Sequence, residues 1–263
     1  MCGTFKPTNI ISLSYGGQEA DLPIAYQKRQ CLEYMKLGLQ GVSFLFASGD
    51  SGVSCKITSK YFFEVTYVLT LIIVYPGKTV YDPESAVYDP AGHPYSVNFS
   101  SGGGFSNIYP IPKYQASAVS TFFEQHNPPY KSYSALAGDT GNITKKADIA
   151  ALVGNTGGVY NRIGRRIPDI SAVGDNIAIF TGGRIKLSGG TSASAPIVSA
   201  IFNRINEERL NAGKSPIGFL NPSLYANPGM LNDITNGTNP GCGTVGFEAV
   251  SGKLPSLCLF TTC

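Results

Sequence analysis

The chain has 263 residues, of which 43% are apolar and 14% charged. That suits one large α/β domain or two small ones, has ample material for a core, and excludes a disordered chain. The net charge of +3 comes from scattered basic residues, adjacent only at Lys28-Arg29, Lys145-Lys146 and Arg165-Arg166, so the dense basic stripe of a nucleic-acid binder is absent.

Asn9 to Ser14 reads as a strand ending at Tyr15-Gly16-Gly17. Asp21 follows as an N-cap with Pro23 in the first turn, where its missing N–H costs nothing. Ile24, Lys28, Leu32, Met35 and Leu39 recur at helical spacing, and Gly41 lies just past the end. Val42 to Ala47 is a buried-strand run closed by Ser48-Gly49-Asp50-Ser51-Gly52. Residues 9–47 therefore form a strand–helix–strand unit, the signature of a parallel sheet with packed helices.

Val65 to Tyr75 is the most apolar run, too short to span a bilayer and rich in β-branched residues, so a buried strand is expected. Residues 76–112 are turn-rich. A helix is predicted over Tyr114–Gln125, short strands over Pro168–Ala172 and Asn176–Thr181, and a long helix over Thr191–Asn211, with Val198, Ile201, Phe202 and Ile205 on one face. No internal repeat or linker divides the chain, so residues 1–263 read as one domain.

Six cysteines stand at positions 2, 31, 55, 242, 258 and 263, with no Cys-x-x-Cys pair, and the chain has only two histidines. A zinc site is not expected. Sequons begin at Asn98, Asn142 and Asn236. With the Gly/Tyr/Ser-rich loops they fit a secreted glycoprotein, and the lack of a signal peptide at Met1–Lys6 predicts that the beginning is missing.

The chemistry centres on Gly189-Gly190-Thr191-Ser192-Ala193-Ser194-Ala195-Pro196. The glycines permit a sharp turn and close approach of a substrate backbone. Ser192 then falls in the first turn of a long helix, beside free N–H groups and a positive dipole end that stabilise an oxyanion. For Gly-Thr-Ser alone, N-capping would be the preferred role of that serine. Asp50, in Gly49-Asp50-Ser51-Gly52, would by itself read as a turn residue.

Four further stretches stand in order with this motif: Ile11-Ser12-Leu13-Ser14-Tyr15-Gly16, Phe46-Ala47-Ser48-Gly49-Asp50-Ser51-Gly52, Ser100-Ser101-Gly102-Gly103-Gly104-Phe105-Ser106 and Arg166-Ile167-Pro168-Asp169-Ile170-Ser171-Ala172. On these five motifs the chain resembles the sedolisins, the subtilisin-like serine-carboxyl peptidases, and within them the fungal tripeptidyl-peptidase branch. The resemblance implies a subtilisin-like α/β fold, a mostly parallel central sheet with helices on both faces. It implies Ser192 as nucleophile and Asp50 as the residue completing the oxyanion hole. Ser14, Tyr15 and Gly16 match the strand lining the non-primed side of the substrate. It further implies a peptide or protein substrate, a monomer, a secreted location, and no nucleic-acid or membrane partner. A true subtilisin would need a His base, and neither His93 nor His126 follows a strand-then-glycine pattern; both are expected in exposed loops.

Three departures accompany the resemblance. The family's Glu-x-x-x-Asp pair, which activates the serine, occurs nowhere; Glu19 and Asp21 are two apart and point to different sides of a helix. The sequence around 56–75 and 252–263 does not follow the family pattern, so a truncated or mis-spliced chain is expected, with feeble activity or a catalytically dead remnant that at most binds peptides. Calcium is the third. Asp233 and Ile234 match the start of the family's Ca²⁺ site, but the stretch that should supply a second Asp reads Ala249-Val250-Ser251-Gly252-Lys253, so weak or lost binding is expected. Cys55 and Cys242 match a disulfide of related tripeptidyl-peptidases. The pairing of Cys2, Cys31, Cys258 and Cys263 stays open, with Cys31 readable as a buried free thiol.

Overall fold

The computed structural model describes residues 5–17, 19–53, 70–71, 85–87, 99–136 and 159–250. Strand β1 (Ile10–Leu13) leads through a 3₁₀ turn (Glu19–Asp21) into helix α1 (Ile24–Leu39) and strand β2 (Ser43–Phe46). The two strands pair in parallel, Ile10 opposite Ser43 and Leu13 opposite Phe46. This is the strand–helix–strand unit read from the sequence. The helix starts two residues later than the capping pattern implies: Pro23, not Asp21, is the boundary residue. Gly41, at φ 89°, makes the left-handed turn out of α1 that a residue with Cβ would resist.

Strand β2 is buried along its whole length. Phe44 and Phe46 share one face and pack against Tyr34 of α1, with ring centroids 5.0 and 5.5 Å apart. Leu45, on the opposite face by alternation, is fully buried. The same core holds Ala195, Val198 and Phe202 from helix α3 (Thr191–Asn211) and Leu224 from α4 (Asn221–Ala226). Ile201 and Ile205, assigned by spacing to the apolar face, are instead exposed.

Strands β3 (Thr70–Leu71) and β4 (Ser85–Ala86) pair antiparallel; the rest of the apolar run over 65–75 lies outside the described residues. Strand β5 (Gly104–Pro110) precedes helix α2 (Lys113–Gln125), one residue longer than predicted. Strands β6 (Ser132–Tyr133) and β7 (Tyr160–Asn161) are parallel, whereas β5 pairs antiparallel with β8 (Gly164–Ile167). The strand expected over 168–172 therefore lies earlier, because Pro168 has no N–H to continue the ladder. Strands β9 (Ile177–Thr181) and β10 (Arg184–Ser188) form an antiparallel hairpin. The described pairings are thus two parallel and three antiparallel, in an α/β architecture.

A second core gathers Phe105 of β5, Val119 and Phe122 of α2, Tyr160 and Phe247. Phe105, Tyr160 and Phe247 contact one another with centroids 5.2–5.5 Å apart. Beside it, Arg165 and Asp169 form an ion pair with side chains only 5% and 1% exposed. Tyr225 donates to Asp169 at 2.6 Å, and Gln115 donates to the Arg166 carbonyl at 2.7 Å. This network fixes the chain immediately before the segment that reaches the serine helix.

No helix among the described residues is long and apolar enough to cross a membrane.

Candidate active site

Ser192 is the second residue of α3 and is exposed to solvent. The turn delivering it requires glycine twice. At Gly190 the backbone sits at φ 142°, ψ 149°, a region open essentially to glycine alone. A Cβ on Gly189 would lie 2.2 Å from Asp175 Oδ1. The turn is pinned to the segment after the Asp169 network: the Gly190 N–H donates to the Gly174 carbonyl at 2.7 Å, and the Ser194 hydroxyl donates to the Val173 carbonyl at 2.8 Å.

Asp50 reaches the same helix end from the loop after β2. Its Oδ1 accepts the Thr191 backbone N–H at 2.7 Å and the Thr191 hydroxyl at 2.9 Å. Both donors converge on one oxygen, and Oδ2 is directed to the Gly190 side, where a Cβ would stand 3.2 Å away. The loop carrying Asp50 is stitched to the Ser100–Gly102 motif: Gly52 N–H donates to the Ser100 carbonyl (2.8 Å), Gly102 N–H to the Gly49 carbonyl (3.0 Å) and Ser100 N–H to the Asp50 carbonyl (3.3 Å). Asp50 is therefore not a free turn residue; three separated motifs meet at Ser192.

The third side is the end of β1. The Ser14 hydroxyl donates to the Ser192 carbonyl at 2.9 Å, and the Ser192 hydroxyl donates to the Ser14 carbonyl at 3.4 Å, across 178 positions of sequence. Tyr15 and Gly16 continue outward and are exposed, with Tyr15 90% accessible. An exposed stretch of chain thus passes directly beside the serine.

Sequence alignment with curated proteins decides the lineage. The chain is 54% identical over 279 aligned residues to aorsin of Aspergillus oryzae, which covers 99% of this chain and 40% of aorsin. It is 47% identical to tripeptidyl-peptidase sed1 of Aspergillus fumigatus, over 97% of this chain and 39% of that protein. The chain belongs to the sedolisin family. More distantly, it is 33% identical to tripeptidyl-peptidase 1 of Homo sapiens, over 89% of this chain and 37% of that protein. Its fold resembles Pseudomonas sedolisin, a serine-carboxyl proteinase solved with two molecules of pseudo-iodotyrostatin: the TM-score is 0.59 at 21% identity, covering 93% of this chain and 60% of that one. No protein-family model matches the chain. The chain spans about two-fifths of the length of the curated relatives it matches.

Other sequence-derived candidates lie elsewhere. Asp233, exposed, and Ile234, buried, follow a 3₁₀ turn (Pro228–Met230). Arg166 lies within electrostatic reach of Asp233; its guanidinium stacks 3.9 Å from the centre of the Phe122 ring, and burial pushes it down to about 10 against the charges of Tyr225, Asp169 and Asp233. Cys242 is disulfide-bonded, and Cys55 lies outside the described residues. Cys31 is also disulfide-bonded, which corrects its reading as a free thiol. His93 falls outside the described residues. His126 terminates α2, where it is half-buried against Phe122 and not on an open loop.

Glu19, in the sequence one of two acids beside a turn, has a specific place in the fold: its carboxylate accepts the Asn107 backbone N–H at 2.8 Å and the Ser106 hydroxyl. The available signal was the serine ending Gly102-Gly103-Gly104-Phe105-Ser106, a hydroxyl on a buried strand that needs an acceptor.

Proposed function

We propose that the chain carries the nucleophile side of a serine-type peptidase site, acting near peptide N-termini. The observation that supports this best is the convergence of Asp50 on Thr191 directly beside an exposed Ser192. In this reading the Ser192 Oγ attacks the scissile carbonyl carbon and its proton passes to a base. The carbonyl oxygen becomes an oxyanion, and Asp50 Oδ2, when protonated, donates to it while Oδ1 stays fixed by Thr191. Collapse of the adduct breaks the C–N bond, the amine leaves with a proton, and water hydrolyses the resulting ester. A carboxyl donates only in its protonated form, so the site is suited to acid.

Ser192 has no carboxylate partner among the described residues; its hydroxyl meets the Ser14 carbonyl alone. That favours a second reading, a peptide-binding chain without turnover. Loss of the base in a serine triad costs on the order of 10⁶ in kcat. Incubation with a serine-reactive fluorophosphonate and with a tripeptide reporter at pH 4–5 separates the two. Labelling at Ser192 with turnover supports the peptidase; binding of a tripeptide aldehyde without turnover supports the second reading. Failure of all three, in a folded protein, sinks both.

We further propose that calcium is not held tightly. Asp233 supplies a single carboxylate and shares its surroundings with the Arg166 cation, whereas Ca²⁺ takes six to eight oxygens. Among the described residues no group of three or more His, Cys, Asp or Glu side chains is placed to hold a metal. A secreted, glycosylated protein belongs to the same proposal and is supported by the sequons at Asn98, Asn142 and Asn236.

A further inference from the structure

Between Ser14 and Glu19 the chain crosses four residues that ought to be slack. Gly16 and Gly17 give it little intrinsic stiffness, and Tyr15 is 90% exposed, so burial does not hold it. Yet Ser14 stands within hydrogen-bond distance of Ser192. Upstream, the β1 ladder holds the chain as far as Leu13, whose carbonyl accepts the Ala47 N–H at 2.8 Å; beyond Ser14 a second anchor lies downstream.

Glu19 supplies that hold. One carboxylate oxygen accepts the Asn107 N–H at 2.8 Å, and the other accepts the Ser106 hydroxyl. The Ser106 oxygen is itself saturated: it accepts the N–H groups of Ile108 at 3.1 Å and Tyr109 at 2.9 Å. With both lone pairs taken, its one proton must be donated, and Glu19 is the acceptor. Asn107 is fixed in turn, because its Oδ1 accepts the Tyr133 hydroxyl. On the other side, the Gln27 amide of α1 donates to the Leu22 carbonyl at 2.8 Å and to the Glu19 carbonyl. The 3₁₀ turn is thereby tied to β5 by its side chain and to α1 by its backbone.

We propose that Glu19 is a positioning residue: its carboxylate clamps the chain leaving Ser14–Gly16 onto β5, and so holds the peptide-binding edge in register with Ser192. This rests on the reading of Ser14–Gly16 as the substrate-binding segment. The clamp uses the strand that begins at Gly104 and so couples that Gly-rich motif to the serine from a distance.

The test is limited chymotrypsin digestion of the whole chain and its Glu19→Ala and Glu19→Gln variants, with cleavage after Tyr15 followed by mass spectrometry. Anisotropy of a fluorescent tripeptide aldehyde is measured on the same samples. Glu19→Ala should be nicked at Tyr15 at least tenfold faster than the wild type, with other sites unchanged, and should bind the aldehyde at least tenfold more weakly. Glu19→Gln, which keeps one acceptor, should fall between. Should Glu19→Ala not accumulate, Glu19→Gln carries the comparison alone. Equal nicking at Tyr15 in wild type and variant overturns the clamp. Nicking that follows Glu19 in a protein whose wild type binds no peptide supports the clamp and overturns the peptidase reading instead.

Discussion

Asp50 and Thr191, 141 positions apart, share one oxygen: Asp50 Oδ1 accepts both the backbone N–H and the side-chain hydroxyl of Thr191, at 2.7 and 2.9 Å. The carboxyl is thereby held at the residue preceding Ser192, with its second oxygen toward the Gly190 turn. Substituting Asp50 by Ala should lower fluorophosphonate labelling of Ser192 by roughly 10²–10³, the usual cost of removing one oxyanion donor. Ser192→Ala should abolish labelling, and Thr191→Val, which keeps the backbone N–H but loses the hydroxyl, should cost less than Asp50→Ala. Labelling rates from a stopped series read by gel fluorescence provide the check; an Asp50→Ala protein labelled at the wild-type rate would show that the contact is only structural.

Gly190→Ala should also suppress labelling. The backbone there has φ 142°, which costs a residue with Cβ about 1–3 kcal/mol, and the new methyl would stand 3.2 Å from Asp50 Oδ2. Gly182→Ala, in the β9–β10 turn at φ 58°, meets no atom within 4 Å and serves as the strain-only control. Both variants should lose thermal stability, but only Gly190→Ala should lose the labelling.

Removing Asp169 leaves Arg165 buried without its carboxylate. Breaking a buried ion pair by deleting one partner costs about 3–5 kcal/mol, and both side chains here are almost wholly enclosed. Urea unfolding of Asp169→Ala should show a loss of that size, whereas Glu33→Ala, whose partners Arg29 and Lys36 lie on the exposed face of α1, should leave the urea midpoint essentially unchanged.

Acid should stabilise the fold through Glu19. Burial is the largest influence and pushes its carboxyl above the ordinary range, against the lowering effect of the Ser106 and Asn107 hydrogen bonds. The titratable groups facing it are the hydroxyls of Tyr109 and Tyr133, both raised by burial and then by the Glu19 charge. A folded-state pKa above the unfolded value means that the folded protein binds the extra proton. The contribution to stability is complete below the unfolded pKa and is lost as pH rises through the folded one. Melting temperature should therefore fall as pH rises above about 4.5 in the wild type and fall less in Glu19→Gln. An identical slope in the two proteins would remove Glu19 as the cause.

Addition of calcium, or of a chelator, should leave the melting temperature unchanged, because Asp233 brings one carboxylate to a neighbourhood that already contains Arg166. Micromolar affinity in a calorimetric titration would contradict this.

Local physics made much of the protein legible from its sequence. Helix α3 over Thr191–Asn211, the parallel pairing of β1 and β2 across α1, and Ser192 in a first helical turn after two glycines all follow from periodicity, chain connectivity and glycine's access to positive φ. Asp50 was named by motif resemblance, whereas its Thr191 contact spans 141 positions and exists only once the loops are folded together. The same holds for Glu19. In the sequence it is one of two acids beside a turn; in the fold it accepts the hydroxyl of Ser106, a serine 87 residues away whose lone pairs its own strand has used. Strand order and the antiparallel β5–β8 pairing were likewise settled by tertiary contacts, since a strand carries its alternation in its own residues but not the identity of its neighbour.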